Sequence, residues 1–220
     1  MIKAILFDLD GTLADTALDL GGALNRLLAE EGQPPVPYEK IRPIASHGAR
    51  GLVELGFGLH RNDPGFDALR LRFLDHYEDG FQHETVLFEG INALLETLAA
   101  RGIKWGIITN KPMRFTDRLV PALGFSIAPA VVVSGDTVGV AKPDPRPMQH
   151  ACEQIGVDPS QCWYVGDAER DIVAGRAVGM KTVLAGYGYI AETDRPEEWG
   201  ADLRIAHPLE LLALLPIQAV

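Results

Sequence analysis

Cysteine is scarce in this 220-residue chain, with Cys152 and Cys162 the only two. Two cysteines exclude the disulfide framework of a small secreted domain. Neither has histidines nearby at metal-ligand spacing, so both are expected to sit reduced in packed positions. Positive charge is also short: 20 Lys and Arg stand against 30 Asp and Glu, giving a net charge of −10. That balance argues against a nucleic-acid backbone or an anionic membrane as partner. No stretch reaches the roughly 18 apolar residues needed to span a bilayer. The opening Met1-Ile2-Lys3-Ala4-Ile5-Leu6-Phe7-Asp8 lacks the apolar length and small-residue cleavage site of a signal peptide, and a cytoplasmic protein is expected. His60, His76 and His83 have no ligand spacing and read as surface or hinge residues. No repeat or low-complexity tract is present.

What the chain does have is a βαβα rhythm. Short apolar runs at Lys3–Phe7, Lys104–Thr109, Ala130–Ser134, Cys162–Val165, Thr182–Ala185 and, more weakly, Leu203–Ile205 have the habit of strands buried on both faces. From Gly90 onward they alternate with helical patterns that stop at Gly102, Gly124, Gly156 and Gly179, as helices commonly do. This predicts an α/β fold with a Rossmann-like parallel sheet and helices on both faces. Between the first strand and Gly90 the rhythm breaks. Asp15–Glu31, Ala49–Leu55 and Pro64–Phe81 read as helices, with no convincing strand among them. The expected organisation is an α/β core of residues 1–13 and 84–220 with an inserted helical domain, 14–83, entered and left through hinges near Ala14 and His83–Phe88.

Acids stand where two of the strands end. Asp8-Leu9-Asp10-Gly11-Thr12 follows the first, and Gly166-Asp167, with Asp171 four residues on, follows the Cys162 strand. Residues i and i+2 of a strand share a face, so Asp8 and Asp10 can address one site. Gly11 permits a sharp turn, and Thr12 is placed to hydrogen-bond it. A carboxylate can attack phosphorus to form an aspartyl-phosphate. A second can protonate the leaving oxygen and then deprotonate water. Magnesium takes about six oxygen ligands, few of them from protein. Asp8, Asp167 and the Asp10 carbonyl would suffice, with Asp171 holding a metal-bound water or orienting Lys142. Asp167 is also a candidate cap of the following helix, and Asp171 a favourable charge in its first turn. Thr109-Asn110 offers a hydroxyl and an amide for phosphate oxygens. Lys142, in the Pro-bounded Ala141-Lys142-Pro143-Asp144-Pro145, is placed to neutralise Asp8 and a transferring phosphoryl group. In the inserted segment, Ser46-His47-Gly48-Ala49-Arg50-Gly51 reads as a polar helix start. There Arg50 either binds a carboxylate or second anion or is solvated, and His47 could meet a hydroxyl.

In order and spacing these motifs resemble the haloacid dehalogenase superfamily of phosphohydrolases over essentially the whole chain. The resemblance implies Asp8 as nucleophile, Asp10 as general acid/base, Thr109 and Lys142 as phosphate binders, and Asp8, Asp10 and Asp167 around Mg²⁺. It also implies that the helical insertion is a cap closing over substrate. Dehalogenases of the family lack the second acid, so Asp10 points to phosphate transfer. Overall the chain is most similar to the phosphoglycolate phosphatase branch. Tyr187-Gly188-Tyr189-Ile190, Trp199-Gly200-Ala201-Asp202 and His207-Pro208-Leu209-Glu210-Leu211 also resemble a bacterial subgroup, some of whose members act on N-acetylmuramic acid 6-phosphate. The expected function is therefore a Mg²⁺-dependent phosphatase for a small anionic monoester, 2-phosphoglycolate first, with the amino-sugar phosphate or a sugar phosphomutase as alternatives. A monomer or homodimer is expected.

Overall fold

The computed structural model describes residues 1–216; residues 217–220 of the expected core segment lie outside the described residues. β1 (Ala4–Phe7) leads into the Asp8–Thr12 turn and the two-residue β2 (Ala14–Asp15). A helical stretch follows: α1 (Ala17–Glu30), α2 (Tyr38–Ile41), a 3-10 helix at Arg42–His47, α3 (Gly48–Phe57) and α4 (Phe66–Glu78). The chain returns through β3 (Val86–Leu87). It then alternates α5 (Ile91–Ala100), β4 (Lys104–Ile108), α6 (Met113–Ala122), β5 (Val132–Val133), α7 (Arg146–Ile155), β6 (Cys162–Gly166), α8 (Glu169–Ala177) and β7 (Lys181–Ala185). It closes with β8 (Leu203–Ile205) and the short α9 (Glu210–Leu214).

Six strands form one parallel sheet in the order β5-β4-β1-β6-β7-β8. Every residue of β1 and of β6 is buried, which explains why both read as unbroken apolar runs. Alternate side chains serve opposite faces. Ile5 and Phe7 join one apolar cluster with Leu94, Leu98 and Trp105. Leu6, Ile108 and Tyr164 join another with Met148 and Ala151. Cys152 and Cys162 are buried free thiols on that second side, 3.7 Å apart between sulfurs. Among the described residues no helix is long and apolar enough to cross a membrane.

The chain runs from β1 to β4 and β5 on one side, then returns to place β6 against the other side of β1. Strand order reverses there, and in open α/β sheets the crevice beyond the carboxyl ends at such a point is where ligands bind. Asp8, Thr109 and Asp167 follow the three central strands directly.

In the insertion, α1 buries Leu20, Ala23, Leu24, Leu27 and Leu28, the spacing of one helix face. They share a continuous cluster with Phe73 and Tyr77 of α4 and with Ile5 and Phe7 of the sheet. The expectation of no strand in this region is corrected: β2 and β3 pair antiparallel, Ala14 with Leu87 and Asp15 with Val86, just where the hinges were placed. Two-residue strands are too short to show an alternation in sequence. Asp19, in the first turn of α1, fastens the return crossing. Its carboxylate accepts from the Glu84 and Thr85 N–H groups and from the Thr85 hydroxyl at 2.6–3.2 Å.

Candidate active site

Asp8, Asp167 and Asp171 bring a carboxylate oxygen each within 4.8 Å of one another, all three buried. Lys142 enters from the loop before α7 with its ammonium beneath them. Its three protons go to the Ile108 carbonyl, the Tyr164 hydroxyl and Asp171 Oδ1, each at 2.7 Å. An ammonium has only three donors. Asp8 Oδ1, 3.0 Å from Lys142 Nζ, makes a fourth close contact, an ion pair.

Asp171 is engaged at both oxygens, Oδ1 by Lys142 and Oδ2 by the Ala168 N–H at 3.0 Å. It thus orients Lys142 and secures the start of α8. Asp167 does not cap that helix; its N-cap is Ala168. Asp167 Oδ2 instead accepts from Ser46 Oγ at 2.7 Å and the Tyr189 N–H at 2.8 Å. Asp167 Oδ1 and Asp8 Oδ1 are buried without a hydrogen-bond partner.

These electrostatics follow from burial. Burial pushes the Asp167 carboxyl up to about 8, with the Asp8 and Asp171 charges adding to it. Burial also raises Asp8, to about 6, against the opposing pull of Lys142. Burial disfavours the Lys142 charge, but Asp171 and Asp8 outweigh it and hold its pKa above the usual value. Buried carboxylate oxygens drawn together in this way are hard donors that suit Mg²⁺, whose charge would offset the repulsion among them. The residues present fit that ion, and Asp8 and Asp167 have the open oxygens to hold it.

Asp10 is the less buried acid. Its Oδ1 accepts from Thr16 Oγ1 at 2.6 Å and from Lys111 Nζ at 2.8 Å. Lys111, directly after Thr109-Asn110, was not singled out in the sequence. Its ammonium is buried between Asp10 and the Tyr77 ring of α4, 4.7 Å from the ring centroid. Burial opposes its charge, yet Asp10 and Tyr77 raise its pKa. The signal was present, since a charged residue at the carboxyl end of a central strand faces the crevice as the acids do.

Thr109 is buried beside the cluster, its hydroxyl accepting from the Lys111 N–H at 3.1 Å. Asn110 lines the cavity, but its amide is engaged by the Lys142 main chain. Nδ2 donates to the Lys142 carbonyl and Oδ1 accepts from the Lys142 N–H, both at 2.9 Å. Its side chain splints the lysine loop. Thr12 does not bond the turn as expected, because the Leu9 carbonyl takes the Thr12, Leu13 and Ala14 N–H groups. The Thr12 hydroxyl is left buried and unpartnered.

Above the acids lies a cavity of about 570 Å³ shared by sheet loops and insertion. Arg50, in the first turn of α3, lines it with His47, Arg70 and Phe73. Arg50 has no ion-pair or hydrogen-bond partner among the described residues. Surrounding protein desolvates His47 and the Arg170 charge repels a proton from it, so its pKa lies below the usual value. His76 belongs elsewhere, 3.1 Å from Glu30.

The chain is similar to known proteins over nearly its whole length. Residues 5–185 fit the family described as haloacid dehalogenase-like hydrolase. A Pseudomonas aeruginosa protein named N-acetylmuramic acid 6-phosphate phosphatase is 43% identical over 217 residues, covering 97% of this chain and 95% of that one. A Xanthomonas campestris protein named phosphoglycolate phosphatase is 41% identical over 209 residues, 95% and 94% of the two chains. Among solved structures, that of a predicted phosphoglycolate phosphatase from Haemophilus somnus superposes with a TM-score of 0.84 at 24% identity, covering 97% of each chain. The fold, the strand-end acids and these relatives agree: the chain belongs to the haloacid dehalogenase-like hydrolase family.

Proposed function

We propose that this protein is a Mg²⁺-dependent phosphomonoesterase acting through an aspartyl-phosphate on Asp8, with residues 14–83 serving as its cap. The observation that carries the reading is Asp8, buried 3.0 Å from Lys142 Nζ, with a second acid two residues on. An Asp8 oxygen attacks phosphorus as the ester P–O bond breaks, and Asp10 gives its proton to the departing alkoxide. Asp10 then takes a proton from the water that attacks the same phosphorus, releasing inorganic phosphate and restoring Asp8. Thr16 and Lys111 hold Asp10 Oδ1, which leaves Oδ2 to carry the proton. Lys142 sets positive charge beside the nucleophile, and Thr109 lies at the phosphate end. Bound at Asp8, Asp167 and the Asp10 carbonyl, Mg²⁺ would supply charge stabilisation of the phosphoryl oxygens.

The ester is proposed to carry a carboxylate, for which Arg50 stands unpaired in the cavity. 2-Phosphoglycolate and N-acetylmuramic acid 6-phosphate both do, and relatives above 40% identity bear each name. The cavity volume supports the larger ester as a second reading. It falls within the ~300–1,000 Å³ of pockets that enclose drug-sized ligands, roomier than a two-carbon acid needs. Phosphate release from the two esters at equal concentration, with Mg²⁺, decides between them. Release from neither, with appearance of an isomer from a sugar phosphate, would point to a mutase.

A further inference from the structure

The insertion reaches Asp167 through Ser46. Ser46, near the end of the 3-10 helix, donates its hydroxyl to Asp167 Oδ2, which also accepts the Tyr189 N–H. Asp167 is thereby divided, with Oδ2 doubly engaged and Oδ1 buried and open. Two glycines leave the carboxylate little freedom, since a Cβ on Gly11 would strike its Oδ2 and a Cβ on Gly188 its Cβ. The remaining restraint comes from the insertion and the loop it grips. Arg42 donates to the Tyr187 and Gly188 carbonyls, both at 3.2 Å, and its guanidinium lies 5.1 Å from the Tyr189 ring centroid. From α8, Arg170 donates to the Ser46 carbonyl at 2.7 Å. The Tyr189 hydroxyl accepts from the Thr16 and Ala17 N–H groups at 2.7 and 3.1 Å and donates to Asp15 at 2.7 Å, at the hinge strand itself. A single connected set of contacts thus runs from hinge to Tyr189 to Asp167 to Ser46.

We infer that Ser46 is a positioning residue for the cation: with the insertion closed, its hydroxyl holds Asp167 so that Oδ1 faces Asp8, and cation binding and closure favour each other. The coupling is reciprocal, because two equilibria that share a contact shift each other by the same factor. Groups that orient a metal ligand without touching the metal commonly change affinity about 10–100-fold when removed. The inference rests on the magnesium reading above, and its test separates the two.

The experiment is Mg²⁺ titration by calorimetry, without substrate, of the wild-type protein, Ser46→Ala and Ser46→Thr. Hydrogen exchange of residues 42–50 with and without Mg²⁺ accompanies it. The expected result is binding weakened about 10-fold in Ser46→Ala and restored by the hydroxyl of Ser46→Thr. Mg²⁺ should slow exchange in this segment in the wild-type protein but not in Ser46→Ala. Equal affinity in wild-type and Ser46→Ala, or exchange indifferent to Mg²⁺ in the wild-type protein, overturns the coupling and leaves the metal site standing. A wild-type protein that binds no Mg²⁺ overturns the metal site and the coupling together.

Discussion

Lys142 Nζ lies 3.0 Å from Asp8 Oδ1 and 2.7 Å from each of the Ile108 carbonyl, the Tyr164 hydroxyl and Asp171 Oδ1. The ammonium's charge favours the Asp8 carboxylate as an anion, against the burial that opposes it. Asp171, which shapes this arrangement, acts through Lys142.

Lys111 is expected to matter most when the leaving group needs a proton. Its ammonium fixes Asp10 Oδ1 at 2.8 Å. Lys111→Met should lower kcat on an alkyl phosphate by about 10²-fold, the usual scale of general acid catalysis, and lower it much less on p-nitrophenyl phosphate. Equal losses on the two esters would remove Lys111 from the proton-transfer step.

Arg50 should be felt in binding. Arg50→Ala is expected to raise KM for carboxylated phosphate esters by about 10–100-fold, the worth of a hydrogen bond to a charged group. KM for p-nitrophenyl phosphate should barely change. Parallel increases would make the residue structural.

The acid cluster gives the metal-free protein a pH signature. Asp167 and Asp8 are raised to about 8 and about 6, above the ordinary carboxylate value near 3.9. The folded protein therefore binds more protons than the unfolded chain over this window. Stability from these groups is complete below the ordinary value and is lost as pH rises through about 6 and then about 8. In EDTA, Tm should fall from acidic to mildly alkaline pH, and added Mg²⁺ should raise Tm more at the alkaline end. A Mg²⁺ shift that is equal at both ends, or larger in acid, contradicts this assignment.

Asp19 is expected to be a stability residue. Asp19→Ala strips the partner from two backbone N–H groups at the return crossing and leaves the Thr85 hydroxyl only its longer contact to the Phe81 carbonyl. The cost should be about 2–3 kcal/mol, on the scale of lost hydrogen bonds to a charged group, read by urea denaturation. A loss below about 0.5 kcal/mol, typical of a neutral surface substitution, would mean the crossing is held by packing alone.

The strand-end acids were legible because they sit where sequence is most explicit. A strand buried on both faces leaves an unbroken apolar run, and an acid directly after such a run has few structural reasons to be there. Asp8 and Asp167 follow their strands directly, and Asp10 and Asp171 come within a few residues of them. Asn110 shows the limit of that logic: the chain order marks it as near the site, but only geometry shows that its amide braces Lys142. β2 and β3 were missed because two residues cannot display a period. Ser46 and Tyr189 were missed as partners of Asp167 because they lie 121 and 22 residues from it. A contact of that kind leaves no local pattern in one chain.

The central claim is that Asp8 becomes phosphorylated, and Asp10→Asn with p-nitrophenyl phosphate tests it most directly. That leaving group needs no proton, while release of phosphate from the enzyme still needs the base. A burst of about one p-nitrophenolate per active site is expected. Borohydride reduction of the quenched protein should then convert residue 8 to homoserine, detected by mass spectrometry and absent from Asp8→Asn. No burst, or reduction at any other residue, would contradict the account.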